Sequence, residues 1–97
     1  MVVGICAIEL ALAENHDLKG KRQVLRSIKD RVRSRFNVSI AEVGDLDVWQ
    51  RSVIAVACVS RDRNRVEREL AHVATFVERL NLAEIEEISV EIVAGVG

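Results

Sequence analysis

An α+β sandwich, with a helix after the first and the third of four strands, is predicted by three features of this 97-residue sequence. Val2 to Leu12 and Ser52 to Ser60 are apolar on both alternating faces apart from Glu9, as strands in the middle of a sheet are. Asn37 to Val43 and Ile85 to Val93 alternate apolar with polar residues, as strands near a sheet edge do. The two intervening segments repeat apolar residues every three or four positions, the spacing of an amphipathic helix.

Each element follows in turn. Met1 to Ala13 ends in Ala-Leu-Ala, like a secretory cleavage site, but it has no basic start, carries Glu9 in its apolar run and is shorter than the ~20 residues a membrane span needs. It reads as the first strand. Asn15, His16 and Asp17 break the pattern, and Asp17 caps a helix from Leu18 whose stripe is Leu18, Leu25, Ile28, Val32 and Phe36. In the second strand Val38 and Ile40 share one side, Ser39 and Ala41 the other. Gly44 and Asp45 open a polar connection containing Trp49, and the third strand follows. Asp62 caps a second helix with the stripe Val66, Leu70, Val73, Val77 and Leu80, which Asn81 ends. In the last strand Ile88, Val90 and Ile92 are expected inward, and Glu87, Ser89 and Glu91 outward. Right-handed crossovers then give a ferredoxin-like βαββαβ fold, an antiparallel sheet in the order 4-1-3-2 with both helices on one face. One domain spans residues 1–97, without repeat, linker or low-complexity segment.

The 49% apolar and 30% charged content is that of a globular chain rather than a disordered tail. Only Phe36, Trp49 and Phe76 are aromatic and no proline occurs, so the core is expected to consist of Val, Ile, Leu and Ala. Cys6 and Cys58 lie in strands without metal or redox spacing; free, buried thiols and a cytoplasmic location are the expectation.

Charge is the informative feature. The net charge is −1, yet eight of fourteen Lys and Arg residues fall between Asp17 and Phe36, against two acids. Lys19, Arg22, Arg26, Lys29 and Arg33 form one stripe about 21 Å long at 1.5 Å per residue, beside the apolar face. Together with Lys21 they are the candidate RNA-binding residues; the alternative is a solvated helix face. His16, Lys19, Lys21 and Arg22 cluster at the helix start, where free N–H groups favour anions, but no phosphate-binding P-loop is present. Arg65, Arg68, His72 and Arg79, with Phe76 nearby, make a weaker flank on the second helix, diluted by Glu67, Glu69 and Glu78.

The two central strands contain no aromatic residue on which bases would stack, which argues against the familiar RNA mode of small βαββαβ domains. An RNA contact would use the helices and read shape and phosphate. The open sheet face (Val3, Ile5, Ala7, Val53, Ala55, Ala57) is smooth and apolar and suits a homodimer. Trp49 either caps the core edge or, with Gln50 and Arg51 beside it, contacts a partner; Trp49 and Arg51 are the candidate partner contacts. No catalytic constellation, metal-ligand spacing or cofactor motif is evident, although Glu42, Asp45 and Asp47 could approach one another around the hairpin and hold a cation.

Three ordered stretches, His16 to Arg22, Arg35 to Val43 and Asp47 to Arg51, resemble the YlxP-like family, a bacterial domain of unknown function, over nearly the whole chain. The family's usual Ser after the first His is Asp17 here, and both can cap a helix. The resemblance implies a ferredoxin-like fold. It also implies proximity to transcription and translation, because the family's genes often sit beside those factors; it supplies no catalytic residue. The expectation is a cytoplasmic, non-enzymatic accessory factor that binds structured or ribosomal RNA through the basic stripe. The alternative is a dimeric regulatory or adaptor module binding a protein or small ligand at the open sheet face.

Overall fold

Alternate side chains of Val2–Ala11 (β1) and Arg51–Ser60 (β3) point into one core in the computed structural model, which describes residues 1–13 and 15–95. Cys6, Ile8 and Leu10 of β1 and Ile54 and Val56 of β3 are fully buried on that side. The two strands pair antiparallel at the centre of a four-stranded sheet in the order β2-β3-β1-β4, completed by Ser39–Gly44 (β2) and Glu84–Ala94 (β4). This is the expected order 4-1-3-2 seen from its other edge.

Leu18–Arg35 (α1) begins at Asp17, whose carboxylate accepts from the Gly20 N–H at 2.6 Å. Arg63–Leu80 (α2) begins in the same way at Asp62, which accepts from the Asn64 N–H at 2.9 Å. It ends at Asn81 in the left-handed conformation (φ 53°), which asparagine tolerates better than most residues. Leu25, Ile28 and Val32 of α1 and Val66, Leu70, Val73 and Val77 of α2 complete the core against the sheet. Each such side chain contributes about 1.5–3 kcal/mol on burial. Gly4 lets α2 approach β1 closely: a Cβ there would lie 2.2 Å from Val66 Cγ1.

One expectation about β4 requires correction. Ile88 and Val90 stand opposite Ile8 and Cys6 and so do face the helix side, as their alternation implied. They are nevertheless 41% and 54% exposed, whereas Ile92 and Ile85 are partly buried against the core. β4 is the sheet margin, and α2, centred on β1 and β3, covers it only in part.

Among the described residues no element covers the other face of the sheet. Val3, Ile5, Ala7, Val53, Ala55 and Ala57 lie there in register, as expected, with Glu9 directly opposite Glu87 across the β1–β4 ladder. A bulge just past Glu9 brings Glu86 into the same corner, and Asp45 and Arg51 border it. A hydrogen bond shared with Glu87, followed by the repulsion of its charge and smaller effects of desolvation, Glu86 and Asp45, holds the Glu9 carboxyl above the usual range. The folded state thus retains this proton more tightly than the unfolded chain does. The contribution to stability is therefore present below the ordinary glutamate value and is lost as pH rises through the raised folded value. Glu87→Gln removes the opposing charge. It should raise the melting temperature relative to wild type at pH 7, with the difference closing at pH 3, below the ordinary glutamate value; equal melting temperatures at both pH values would contradict this account.

Candidate nucleic-acid interface

The residues of α1 divide into two sets by their position on the helix. Lys19, Arg22 and Arg26 are fully on the surface, Lys29 is half-buried, and Arg33 is exposed but engaged at both ends of its guanidinium. One Arg33 nitrogen donates to the Ile40 carbonyl at 3.0 Å, and the other lies 3.8 Å from Asp30. Arg33 therefore ties α1 to the edge strand β2 as well as carrying charge. Among the described residues Lys19, Arg22 and Arg26 make no ion pair, so the stripe presents these cations to solvent.

Lys21 does not belong to that surface, contrary to its assignment as an RNA-binding candidate. It is only 1% exposed. Its ammonium lies 3.0 Å from Glu42 Oε2 on the core side of β2 and donates to the carbonyls of Val48 at 2.7 Å, Leu46 at 3.5 Å and Asp45. Ser52, buried on β3, donates to the same Glu42 oxygen at 2.8 Å. Lys21 precedes Leu25, Ile28 and Val32 by four, seven and eleven residues, in register with the buried stripe, and Glu42 follows Ile40 by two on the inward side of β2. Those two spacings were the available signal. This pairing also corrects the cation-site reading of the hairpin acids, because Glu42 is neutralised by Lys21, and no group of His, Cys, Asp or Glu side chains suited to a metal ion occurs among the described residues.

The consequence is a fixed connection between β2 and β3. Lys21 holds its carbonyls from below. Asn15 Nδ2 donates to the carbonyls of Trp49 and Asp17, each at 2.7 Å, and the Leu12 N–H donates to the Gln50 carbonyl at 2.7 Å. Trp49 stands outside the core, 46% exposed, and Leu46 and Val48 beside it are exposed as well. Arg51 is also on the surface. The connection thus presents Trp49 on a rigid support beside the N-terminal turn of α1, where Lys19 and Arg22 begin the basic stripe.

The second helix extends the cationic side. Arg65, Arg68, His72 and Arg79 are all exposed, and Arg35, in the last turn of α1, lies over the Phe76 ring with 5.2 Å from guanidinium carbon to centroid. Together α1 and α2 carry twelve of the chain's fourteen Lys and Arg residues but only four of its fifteen acids. His16 is exposed ahead of the Asp17 cap. Burial raises the thiols of Cys6 and Cys58, and Glu69 adds to the effect at Cys58; both cysteines are free. No helix is long and apolar enough to cross a membrane among the described residues.

These elements define a small ferredoxin-like α+β protein with a cationic helix layer backed by an apolar, acid-edged sheet. The chain belongs to the family described as protein of unknown function DUF503, whose profile matches residues 3–90. It is 40% identical over 85 residues to the uncharacterised protein YlxP of Bacillus subtilis (strain 168), covering 88% of this chain and 90% of that relative. Among solved structures it is similar in fold to the de novo designed protein Foldit4, with a TM-score of 0.55, 16% identity and 98% of both chains covered.

Removing the buried ammonium takes the charge partner from Glu42 and a donor from the carbonyls of Leu46 and Val48. Lys21→Met should lower unfolding free energy by about 3–5 kcal/mol, the usual cost of breaking a buried pair on one side. It should also alter the fluorescence of Trp49 in the folded state, because the connection loses its support. Urea unfolding followed at Trp49 measures both, and a loss below about 1 kcal/mol would show that Lys21 is not the support described.

Proposed function

We propose that this protein is a non-enzymatic accessory factor that binds structured RNA, ribosomal RNA in particular, in the cytoplasm. The observation that carries the reading is the segregation of charge: a chain of net charge −1 concentrates its cations on the helix layer, with Lys19, Arg22, Arg26 and Lys29 aligned along α1. The spacing of these side chains suits successive phosphates. Trp49, held beside the start of the stripe, supplies an exposed aromatic surface, with Arg51 near it in sequence. The sheet is a poor RNA surface, because its open face has no aromatic residue and is edged by Glu9, Glu87 and Glu91.

A second reading rests on the open face. Ile5 is 38% and Val59 62% exposed on the two central strands, an arrangement that favours a homodimer or an adaptor function at that face.

Co-sedimentation with bacterial ribosomal subunits at low and physiological salt separates the two. Under the RNA reading, Arg22→Glu, Arg26→Glu and Lys29→Glu combined should abolish retention with unchanged circular dichroism. With about four phosphate contacts, log affinity for single strands should fall against log salt with a slope of about −3. Unaltered retention in the triple variant would overturn this reading. An association insensitive to salt but lost on Ala55→Arg would support the second.

A further inference from the structure

The C-terminal turn of α1 and the flank of α2 border a half-open groove of about 550 Å³ that the basic stripe does not include. Its walls follow from helical spacing: His72, Thr75, Phe76 and Arg79 stand at i, i+3, i+4 and i+7 on α2, and Arg35 and Phe36 close the other side from α1. Phe36 and Phe76, two of the three aromatic residues of the chain, meet edge to face with centroids 5.4 Å apart and an interplanar angle of 74°. The Arg35 guanidinium lies over the Phe76 ring, leaving an aromatic floor with a planar cation on it.

Among the described residues the polar lining consists of two arginines, a histidine and a threonine hydroxyl, with no carboxylate. That selection is informative in a protein of net charge −1. A larger groove of about 690 Å³, between the start of α1 and the end of α2, is instead rimmed by Glu78 and Glu84 and has no Lys or Arg in its wall. The first groove therefore joins anion recognition to a flat, stacking surface within one space. Its volume lies in the range of ~300–1,000 Å³ that small-ligand pockets occupy.

We infer that this inter-helix pocket binds a nucleotide, its phosphate between Arg79 and His72 and its base stacked on the Arg35–Phe76 pair. Arginine suits the phosphate through its fork of donors, and the Arg35 guanidinium offers its free face to a base. The nucleotide is either free or one unpaired unit of an RNA chain lying on the helix layer; only the second source rests on the RNA reading above.

The test uses the whole protein, with AMP and a 5′-phosphorylated oligouridylate as probes and adenosine and inorganic phosphate as controls, followed by amide and side-chain NMR shifts. AMP should shift the resonances of Arg35, His72, Phe76 and Arg79 saturably, and more tightly than adenosine or phosphate alone. Arg79→Ala and Arg35→Ala, both at exposed positions, should each weaken AMP about tenfold or more while leaving the remaining spectrum folded. The Arg22→Glu, Arg26→Glu, Lys29→Glu protein should bind AMP as wild type does. If both AMP and the oligonucleotide leave these resonances unmoved, or shift them equally in Arg79→Ala and Arg35→Ala, the pocket assignment is wrong. RNA retention that needs the stripe but ignores Arg35 and Arg79, without AMP binding, overturns the pocket and leaves the RNA reading standing. AMP binding with the oligonucleotide excluded and no ribosome retention supports the pocket as a free-nucleotide site and removes the RNA reading.

Discussion

The ammonium group of Lys21, taken out of water at the first turn of α1, draws together parts of the chain that share no continuous hydrophobic contact. Desolvating an ammonium costs several kcal/mol unless every donor is matched. Here Glu42 and carbonyls of residues 45–48 supply the match, with Ser52 holding the carboxylate in place. The polar connection between β2 and β3 is thereby bound to the start of α1, and Asn15 and Leu12 fasten its far end to the segment leaving β1. Trp49 is consequently exposed without being loose. The pair acts with the Asn15 and Leu12 hydrogen bonds in placing the hairpin connection against the helix start.

Around that anchor the molecule has two unlike sides. The helix layer faces outward with cations, and its buried stripe is almost wholly aliphatic. The opposite sheet face is bare, and its charge is acidic where Glu9 and Glu87 oppose one another at the β1–β4 ladder. Two carboxyls placed across a ladder raise the cost of ionising both, and the Glu9 carboxyl is accordingly held above the usual range. A polyanion would be repelled there and attracted to the helices. The same separation leaves the centre of the open face, with Ile5, Ala7, Ala55 and Ala57, as an apolar surface flanked by acids.

Most of the fold was legible because each element carries its own periodic signal. The apolar stripes from Leu25 to Phe36 and from Val66 to Leu80, the caps at Asp17, Asp62 and Asn81, and the double-sided apolar runs of β1 and β3 lie where the spacing placed them, with boundaries differing by a residue or two, whereas Leu18 lies outside the core and Lys21 takes the first buried position of α1. The candidate site was legible in part. The exposure of Lys19, Arg22 and Arg26 follows from their angular position on the helix. Charge alone places Lys21 with the surface stripe, but by register it falls on the wheel with Leu25, Ile28 and Val32, and its partner Glu42 falls with Ile40. Ile88 and Val90 were misjudged for a different reason, since alternation identifies the side a residue faces but not whether anything covers that side.

By itself, then, the sequence determined the order of elements, the sheet topology and the side of each helix that turns inward, because these depend on local periodicity and on which runs can be buried on both faces. It also determined that cations concentrate on the first helix. The tertiary structure alone decided that Lys21 is a buried anchor, that Trp49 stands on a braced connection, and that Arg35, Phe36, His72, Phe76 and Arg79 line one groove. Those outcomes depend on the packing of segments distant in the chain, where the energy of a charge or a ring is set by neighbours that no local pattern contains.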